Sequence, residues 1–181
     1  MQKKIVVLNG SPRPYGNTAA LISSFIKGAE SSHSDVIRFD IYKMDIHPCL
    51  GCCCGGNNRD WPCVQKDGMQ EIYKAFVDAE VICFASPLYF CTVSGHLKTV
   101  IDRLFAIWEL NPSCTCAPKE CVLLMTAGSD DFAVSVFWYE HLVKRLGWKS
   151  RGKVLCGEVF HIGDIENSPK LDEAYHLGRT L

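Results

Sequence analysis

The 181-residue sequence lacks any run of about 18 consecutive apolar residues, so we expect no membrane-spanning helix. It also lacks a stripe of basic residues, and its formal net charge is −1. Because binding to a phosphate backbone needs clustered Lys and Arg, nucleic acid is not an expected partner. The apolar run after Lys4 is too short for a secretory signal, which leads us to expect a cytoplasmic protein.

Hydrophobic residues make up 48% of the sequence, which is enough to bury a core and too many for a disordered chain. The length fits a single domain, which we expect to span residues 1–181. The 11 cysteines are an odd number, which argues against a closed disulfide framework. In a cytoplasmic chain, so many cysteines are typical of reduced thiols, metal binding or redox chemistry.

Short apolar runs alternate with amphipathic segments along the chain, an order that is typical of α/β folds. The apolar runs predict strands at residues 5–9, 35–42, 80–85 and 121–126, and a fifth within 153–162. Helical spacing predicts a first helix that begins near Thr18 and later helices at about 69–78, 94–108, 131–146 and 171–178. Right-handed crossovers then give a parallel sheet covered on both faces. We predict a three-layer α/β/α flavodoxin-like fold, with a five-stranded parallel sheet in the order 2-1-3-4-5.

Three polar turns follow strands 1, 3 and 4 of the predicted sheet, at residues 11–18, 86–90 and 126–129. The carboxyl ends of parallel strands meet at one edge of the sheet, and ligands bind there at the point where the strand order reverses. We therefore expect these three turns to form one ligand site.

The first of these turns has the composition of an anion-binding loop. Ser11 and Thr18 supply hydroxyl donors, Asn17 supplies an amide, and the helix that follows directs its first N–H groups at the loop. Arg13 could add a positive charge at the mouth. The alternative is an ordinary turn in which Asn17 or Thr18 caps the helix. The loop has neither the Walker lysine nor the glycine spacing of a dinucleotide fingerprint.

Several short motifs in this order resemble the flavodoxin-like NADPH-dependent FMN reductases. They are Gly10-Ser11-Pro12-Arg13, Gly16-Asn17-Thr18, Ser86-Pro87-Leu88-Tyr89, Leu97-Lys98 and Asp102-Arg103. The resemblance runs from Lys4 to about Leu146 and is weaker beyond. It implies FMN as the cofactor, NAD(P)H as the co-substrate, and a homodimer or homotetramer with the flavin near a subunit boundary.

The resemblance also implies which residues bind the cofactor. The positions that match the FMN phosphate site are Ser11, Arg13, Asn17 and Thr18, with Gly16 in the same loop. The turn that matches the isoalloxazine site contains Pro87, Leu88, Tyr89 and Phe90, with Ser86 before it, and the turn bordering the ring's other side contains Thr126, Ala127 and Gly128. No catalytic acid or base is expected, because a flavin carries out hydride and electron chemistry itself.

We interpret the chain as an FMN-dependent NAD(P)H oxidoreductase. It would pass electrons to a small acceptor, which could be a quinone, a nitro or azo compound, a metal ion or a free flavin. One alternative is an iron–sulfur flavoprotein that acts in electron transfer. The other is a flavin-binding sensor module without turnover.

The long connection at residues 43–68 is rich in cysteine and bears on the first alternative. Its possible metal ligands, for a [4Fe–4S] cluster or zinc, are Cys49, Cys52, Cys54 and Cys63. The resemblance to iron–sulfur flavoproteins implies a C-x-x-C-x-x-C motif here, but Gly55 occupies the third cysteine position. The loop could instead pack at a subunit interface, or Cys52 or Cys54 could be a redox thiol.

Three further features of the sequence are open to interpretation. Trp61 could cover the flavin of its own or a partner subunit, or only anchor the cysteine-rich loop. The pair in Cys114-Thr115-Cys116 is too closely spaced to indicate a site. Lys98, Asp102 and Arg103 could form a surface ion pair or part of a dimer contact.

Overall fold

Five parallel strands form the centre of the fold in a computed structural model that describes residues 2–55, 58, 60–110 and 119–181. The strands are β1 (Lys4–Asn9), β2 (Asp35–Asp40), β3 (Val81–Pro87), β4 (Glu120–Thr126) and β5 (Lys149–Cys156). Their order in the sheet is β2-β1-β3-β4-β5, which confirms the predicted flavodoxin-like arrangement. The sheet therefore reverses its strand order between β1 and β3, where such folds bind ligands.

Helices cover both faces of the sheet and complete the three predicted layers. They are α1 (Asn17–Ser31), α2 (Met69–Asp78), α3 (Gly95–Arg103), α4 (Phe105–Leu110), α5 (Ala133–Leu146) and α6 (Lys170–Arg179). Alternate residues of β1 face opposite layers: Val6 and Leu8 pack with α2, α3 and α5, whereas Ile5 and Val7 pack with α1 and α6. Within the described part of the chain, no helix is both long enough and apolar enough to cross a membrane.

The structure corrects three predicted boundaries. β3 continues through Ser86 and Pro87, because these residues still pair with Met125 and Thr126 of β4. β5 begins at Lys149 and ends at Cys156; its polar first residues pair with β4 at the sheet edge, so the strand starts before any apolar pattern is visible. The predicted helix over 94–108 is divided at Leu104 into α3 and α4.

Arg103, the last residue of α3, is buried at the point where that helix ends. Its guanidinium is drawn into the protein by Asp67, and its carbonyl oxygen accepts a hydrogen bond of 2.9 Å from the hydroxyl of Tyr73. The end of α3 is thereby fixed against α2, and the chain resumes as a separate short helix.

The contact between α1 and α6 depends on two glycines. A Cβ atom on Gly28 would lie 1.9 Å from the carbonyl oxygen of Tyr175, and one on Gly178 would lie 2.1 Å from the carbonyl oxygen of Phe25. The two helix backbones approach more closely than any side chain would allow. Since α1 begins at the predicted anion-binding loop, this contact also fixes that loop relative to the sheet.

Candidate functional site

A cavity of about 190 Å³ lies at the carboxyl edge of the sheet. It is lined by Ser11, Arg13, Gly16, Asn17, Thr18, Pro87, Leu88, Tyr89, Thr126, Ala127, Gly128, Val159 and Phe160. All the predicted cofactor-binding residues except Ser86 and Phe90 are therefore among the lining residues. Val159 and Phe160 are additions that the sequence did not predict.

The loop between β1 and α1 begins at Asn9, whose side chain is buried. Its amide nitrogen donates to the Asp40 carboxylate at 2.8 Å, and its amide oxygen accepts from the N–H of Ser11 at 3.0 Å. The Ser11 hydroxyl then accepts from the N–H of Arg13 at 3.2 Å. Burial opposes the ionisation of Asp40, but its hydrogen bonds from Asn9 and Arg38 outweigh this and hold its pKa below the usual range.

The start of α1 is open to an anionic ligand. Gly16 occupies the capping position, no side chain caps the helix, and its first turn contains no acidic residue. The alternative interpretation, in which Asn17 or Thr18 caps the helix, is therefore wrong. Helix geometry leaves the first N–H groups without partners inside the helix, and the helix dipole places positive charge there.

The Asn17 side chain binds another segment of the protein. Its amide nitrogen donates to the carbonyl oxygens of Val159 at 3.3 Å and His161 at 2.8 Å, so both of its donors are used inside the protein. Its amide oxygen is buried and has no partner among the described residues. Asn17 therefore anchors the segment after β5, and its remaining atom suits a hydroxyl donor better than a phosphate.

The three turns around the cavity are hydrogen-bonded to one another. The hydroxyls of Thr18 and Thr126 lie 2.7 Å apart and connect the start of α1 to the end of β4. The N–H of Leu88 donates to the carbonyl oxygen of Thr126 at 2.8 Å, which connects the turn after β3 to the same strand end. The three turns that line the cavity are thus fixed relative to one another by these hydrogen bonds.

Ser86 and Phe90 belong to the predicted turn but do not line the cavity. The buried Ser86 hydroxyl accepts from the N–H of Ser94 at 2.8 Å, and the Ser94 hydroxyl donates to the carbonyl oxygen of Gly10 at 2.7 Å. Phe90 is fully exposed at the tip of a tight turn in which Tyr89 and Thr92 exchange backbone hydrogen bonds. Ser86 is therefore part of the scaffold, and Phe90 faces solvent.

Val159 and Phe160 were not predicted as cavity residues, because they fall in the range 153–162 within which the fifth strand was expected. Their apolar side chains fit that prediction, whereas the structure ends β5 at Cys156 and turns the following residues over the cavity. Phe160 contacts Gly128, where a Cβ would lie 2.7 Å from the ring, and a contact between segments so far apart in the chain leaves no local signal in the sequence.

The described cysteines of the 43–68 connection do not form a metal centre. Cys49, Cys52 and Cys54 are exposed and Cys63 is half-buried. Across residues 2–55, 58, 60–110 and 119–181, no group of three or more His, Cys, Asp or Glu side chains is placed to hold a metal ion. The described positions of the four cysteines thus give no support to a [4Fe–4S] cluster, and Cys114-Thr115-Cys116 lies outside the described residues.

The geometry also bears on two other expectations for the 43–68 connection, a redox thiol at Cys54 and a flavin contact of Trp61. The neighbouring Cys52 raises the pKa of the Cys54 thiol, which disfavours the reactive thiolate form. Trp61 lines a separate hollow with Cys54 and Cys63 and does not border the cavity at the strand ends. A role for Trp61 in covering the flavin of its own subunit is therefore not supported.

The ends of the cysteine-rich connection are held by one buried ion pair, which we call the Arg103 clamp (Arg103, Asp67 and His47). Arg103 and Asp67 side chains are each 1% exposed, and their closest N–O distance is 2.7 Å. Arg103 also donates to the carbonyl oxygen of His47 at 2.7 Å, and Asp67 accepts from the N–H of His47 at 3.0 Å. Only Lys98 and Asp102 form the predicted surface pair, so placing Arg103 at the surface was wrong.

A parallel sheet in this order, with a cavity at its reversal point and an uncapped helix facing that cavity, defines the flavodoxin-like class. Comparison with known proteins agrees with this class. Residues 3–133 match the model of the NADPH-dependent FMN reductase family. The Trp repressor binding protein of Bacillus subtilis superposes with a TM-score of 0.70 at 22% identity, over 96% of this chain and 98% of that one.

Two curated relatives are also informative. An iron–sulfur flavoprotein of Archaeoglobus fulgidus is 35% identical over 101 residues, which are 56% of this chain and 45% of the relative. YwqN of Bacillus subtilis, described as an NAD(P)H-dependent FMN-containing oxidoreductase, is 31% identical over 90% of this chain and 88% of its own. The chain spans about half the length of the iron–sulfur flavoproteins that it matches. It belongs to the NADPH-dependent FMN reductase family, whose cofactor is FMN.

The residues at the cavity fit FMN. The open start of α1 and the hydroxyls of Ser11 and Thr18 suit a phosphate, and the Arg13 side chain is exposed at the mouth. The unpartnered oxygen of Asn17 suits an alcohol, such as those of the ribityl chain. The cavity is smaller than the roughly 300 Å³ of typical ligand pockets, so it would enclose only part of the cofactor.

Proposed function

We propose that this protein is an FMN-dependent oxidoreductase that takes a hydride from NAD(P)H and passes the electrons to a small-molecule acceptor. The observation that carries the proposal is the meeting of three turns, at residues 11–18, 87–89 and 126–128, around one cavity. Membership of the reductase family and similarity to YwqN over most of both chains support it.

The residues of the chain would have distinct duties in this function. The hydroxyls of Ser11 and Thr18, with the first N–H groups of α1, would hold the FMN phosphate. The turns at 87–89 and 126–128 would hold the ring, which supplies the hydride and electron chemistry when FMN is bound. The protein's share is to place the ring, admit the two substrates in turn and restrict other access.

The proposal is tested by the spectrum and turnover of the purified protein. We expect flavin absorbance, release of FMN on acid treatment, and oxidation of NADPH or NADH that depends on an added quinone or azo compound. Apoprotein reconstituted with FMN serves as the reference preparation. Failure to bind FMN after reconstitution would refute the proposal. Binding without turnover across several acceptors would favour a sensor module instead.

An electron-transfer role with an iron–sulfur cluster is the second candidate, because several curated relatives are iron–sulfur flavoproteins. Against it stand Gly55 at the third ligand position and the absence of converging ligands among the described residues. An anaerobic spectrum, with iron and sulfide analysis, separates the two candidates. A broad visible absorbance that bleaches with dithionite would favour the cluster.

We also propose that the functional unit is a homodimer. The groove between α3, α4 and α5 exposes Phe105 and Trp108, whose rings stack with centroids 5.4 Å apart. Contiguous exposed apolar surface of this kind marks an interaction site. The same groove carries Asp102 and Arg145, so in a two-fold arrangement each carboxylate could face the guanidinium of the second copy.

A further inference from the structure

The segment after β5, residues 157–164, forms a wall of the cavity that none of the family motifs in the sequence indicated. It reaches the cavity through Val159 and Phe160. The N–H of Val159 donates to the carbonyl oxygen of Ala127 at 2.9 Å, so the segment runs beside the turn after β4. Its position places it against the ring-binding part of the proposed FMN site.

The backbone on both sides of Phe160 is held by hydrogen bonds from two other parts of the chain. The Asn17 amide donates to the carbonyl oxygens of Val159 and His161. The Asp164 carboxylate accepts from the N–H of Phe160 at 2.8 Å and from the N–H of His161 at 2.7 Å. Phe160 is therefore presented from a fixed backbone and does not sit on a free loop.

The Phe160 side chain is 69% exposed although it lines the cavity. It rests against Gly128, where the absence of a Cβ leaves room for the ring. Tyr89, from the turn after β3, supplies a second ring to the same cavity and is 40% exposed. What distinguishes Phe160 from the other exposed apolar side chains, such as Phe137, is that it lines the cavity and its backbone is held on both sides.

We infer that Phe160, held by Asn17 and Asp164, is a positioning residue that selects flat aromatic electron acceptors. The inference rests on the proposed function and narrows its range of acceptors. A phenyl ring offers neither charge nor hydrogen bonds, so it can favour an acceptor only through stacking, edge contact and burial of apolar area. A planar quinone gains all three from it, whereas a hydrated inorganic ion gains none.

NAD(P)H, one proton and a quinone give NAD(P)⁺ and a hydroquinone, with two electrons and one proton supplied as hydride and the second proton taken from solvent. With ferricyanide, NAD(P)H gives two electrons to two ferricyanide ions and releases one proton. The two acceptors draw electrons from the same bound FMN but differ in shape.

The experiment compares the FMN-loaded wild type with Phe160→Ala and Phe160→Leu, using menadione and ferricyanide as acceptors. For menadione we expect the KM of Phe160→Ala to rise roughly tenfold, with a smaller change in kcat. Phe160→Leu keeps the apolar bulk without the ring and should show a smaller rise. The ferricyanide KM should rise less than the menadione KM, because a hydrated ion gains no stacking from the ring. Phe137→Ala is the matched control, because Phe137 is similarly exposed on α5 and does not line the cavity.

A second readout is FMN affinity, measured by flavin fluorescence during titration of the apoproteins. Because Phe160 lines the cavity proposed for FMN, its variants should bind FMN less tightly, and the kinetics are therefore compared at saturating FMN. A rise in the menadione KM that disappears at saturating FMN would make Phe160 a flavin contact only and overturn the inference. Equal effects on both acceptors, or an effect on neither, would also overturn it. A wild type that binds no FMN or does not oxidise NAD(P)H would instead overturn the proposed function itself.

Discussion

Thr18 and Asn17 are adjacent residues at the start of α1, and the structure gives them separate roles. The Thr18 hydroxyl lies in the cavity wall, and its one hydrogen-bond partner among the described residues is another hydroxyl, that of Thr126, so it can turn towards a ligand. The Asn17 amide is committed to the segment after β5. A variant of Thr18 therefore tests the phosphate site more directly than a variant of Asn17.

Thr18→Val should weaken FMN binding. Valine keeps the shape of threonine but removes the hydroxyl, and the loss of one hydrogen bond to a charged group costs about 1.5–3 kcal/mol. We expect the Kd for FMN to rise by roughly 10- to 100-fold, measured by fluorescence titration of the apoprotein. Ser23→Ala, on the same helix and outside the cavity, is the control. An unchanged Kd in Thr18→Val would show that the phosphate does not lie against this hydroxyl.

Asp67 should make the stability of the protein depend on pH. Burial opposes its ionisation, but hydrogen bonds from Arg103 and from the N–H groups of His47 and Met69 outweigh this and hold its pKa below the usual range. A carboxyl whose pKa is lowered by folding stabilises the protein fully above its unfolded pKa of about 4. That contribution is lost as the pH falls through the lower, folded pKa.

The free energy of unfolding should therefore decrease as the pH is lowered from about 5 to about 2, as measured by urea denaturation at a series of pH values. Asp67→Asn should be less stable than the wild type at pH 7 and should show a weaker dependence below pH 5. Asp35→Asn, at the exposed start of β2, should retain the full slope. A slope in Asp67→Asn equal to that of the wild type would contradict this account.

At the scale of elements, the close contact of α1 with α6 gives a clear test. Gly28→Ala would gain up to about 1 kcal/mol of helix propensity, but its methyl group would collide with the backbone of α6. We expect a net loss of about 2 kcal/mol in the free energy of unfolding, measured by denaturant titration. Gly95→Ala in α3, where a Cβ meets no atom within 4 Å, should be neutral or stabilising. Equal stabilities for the two variants would refute the close contact.

Strands that are buried on both faces could be located from the sequence more accurately than strands that are partly exposed. β1, β3 and β4 are buried on both faces, so their apolar runs located them correctly. β5 pairs on one side only and begins with Lys149, Ser150 and Arg151, so its start carried no hydrophobic signal. A hydrophobic pattern in the sequence reflects burial of the strand, and an edge strand such as β5 is only partly buried.

Most residues that line the cavity could be placed at this edge from the sequence, because the strand order determines which turns meet there. The turns after β1, β3 and β4 follow directly from the strand order, so their residues could be placed together from sequence. Phe160 and the contact of the Asn17 side chain with the segment after β5 could not be predicted, because that contact joins residues 142 positions apart, Asn17 and Val159. The burial of Arg103 was equally hidden, because its partner lies in an irregular connection.

At the scale of the whole molecule, the groove between α3, α4 and α5 is the surface through which we expect two copies to associate. Trp108→Asp should convert the proposed dimer to a monomer, because the substitution places a charge in the apolar contact surface. Light scattering coupled to size-exclusion chromatography measures the mass directly. Phe137→Asp, which lies outside that groove, should leave the dimer intact. A wild-type protein that is monomeric at micromolar concentrations would contradict the proposed dimer.

That residues 1–181 form a single domain is also a prediction about the whole molecule. It implies that thermal unfolding of the apoprotein is a single transition, with coincident loss of secondary structure and of tryptophan environment. Two separated transitions, by circular dichroism and by fluorescence, would contradict it.

The Arg103 clamp has a practical consequence for loop design. One arginine of α3 holds the chain at His47 and at Asp67, so the two points between which the cysteine-rich connection runs are fixed by a buried ion pair. An experimenter could therefore graft a different loop between these two residues while keeping the same attachment to α3.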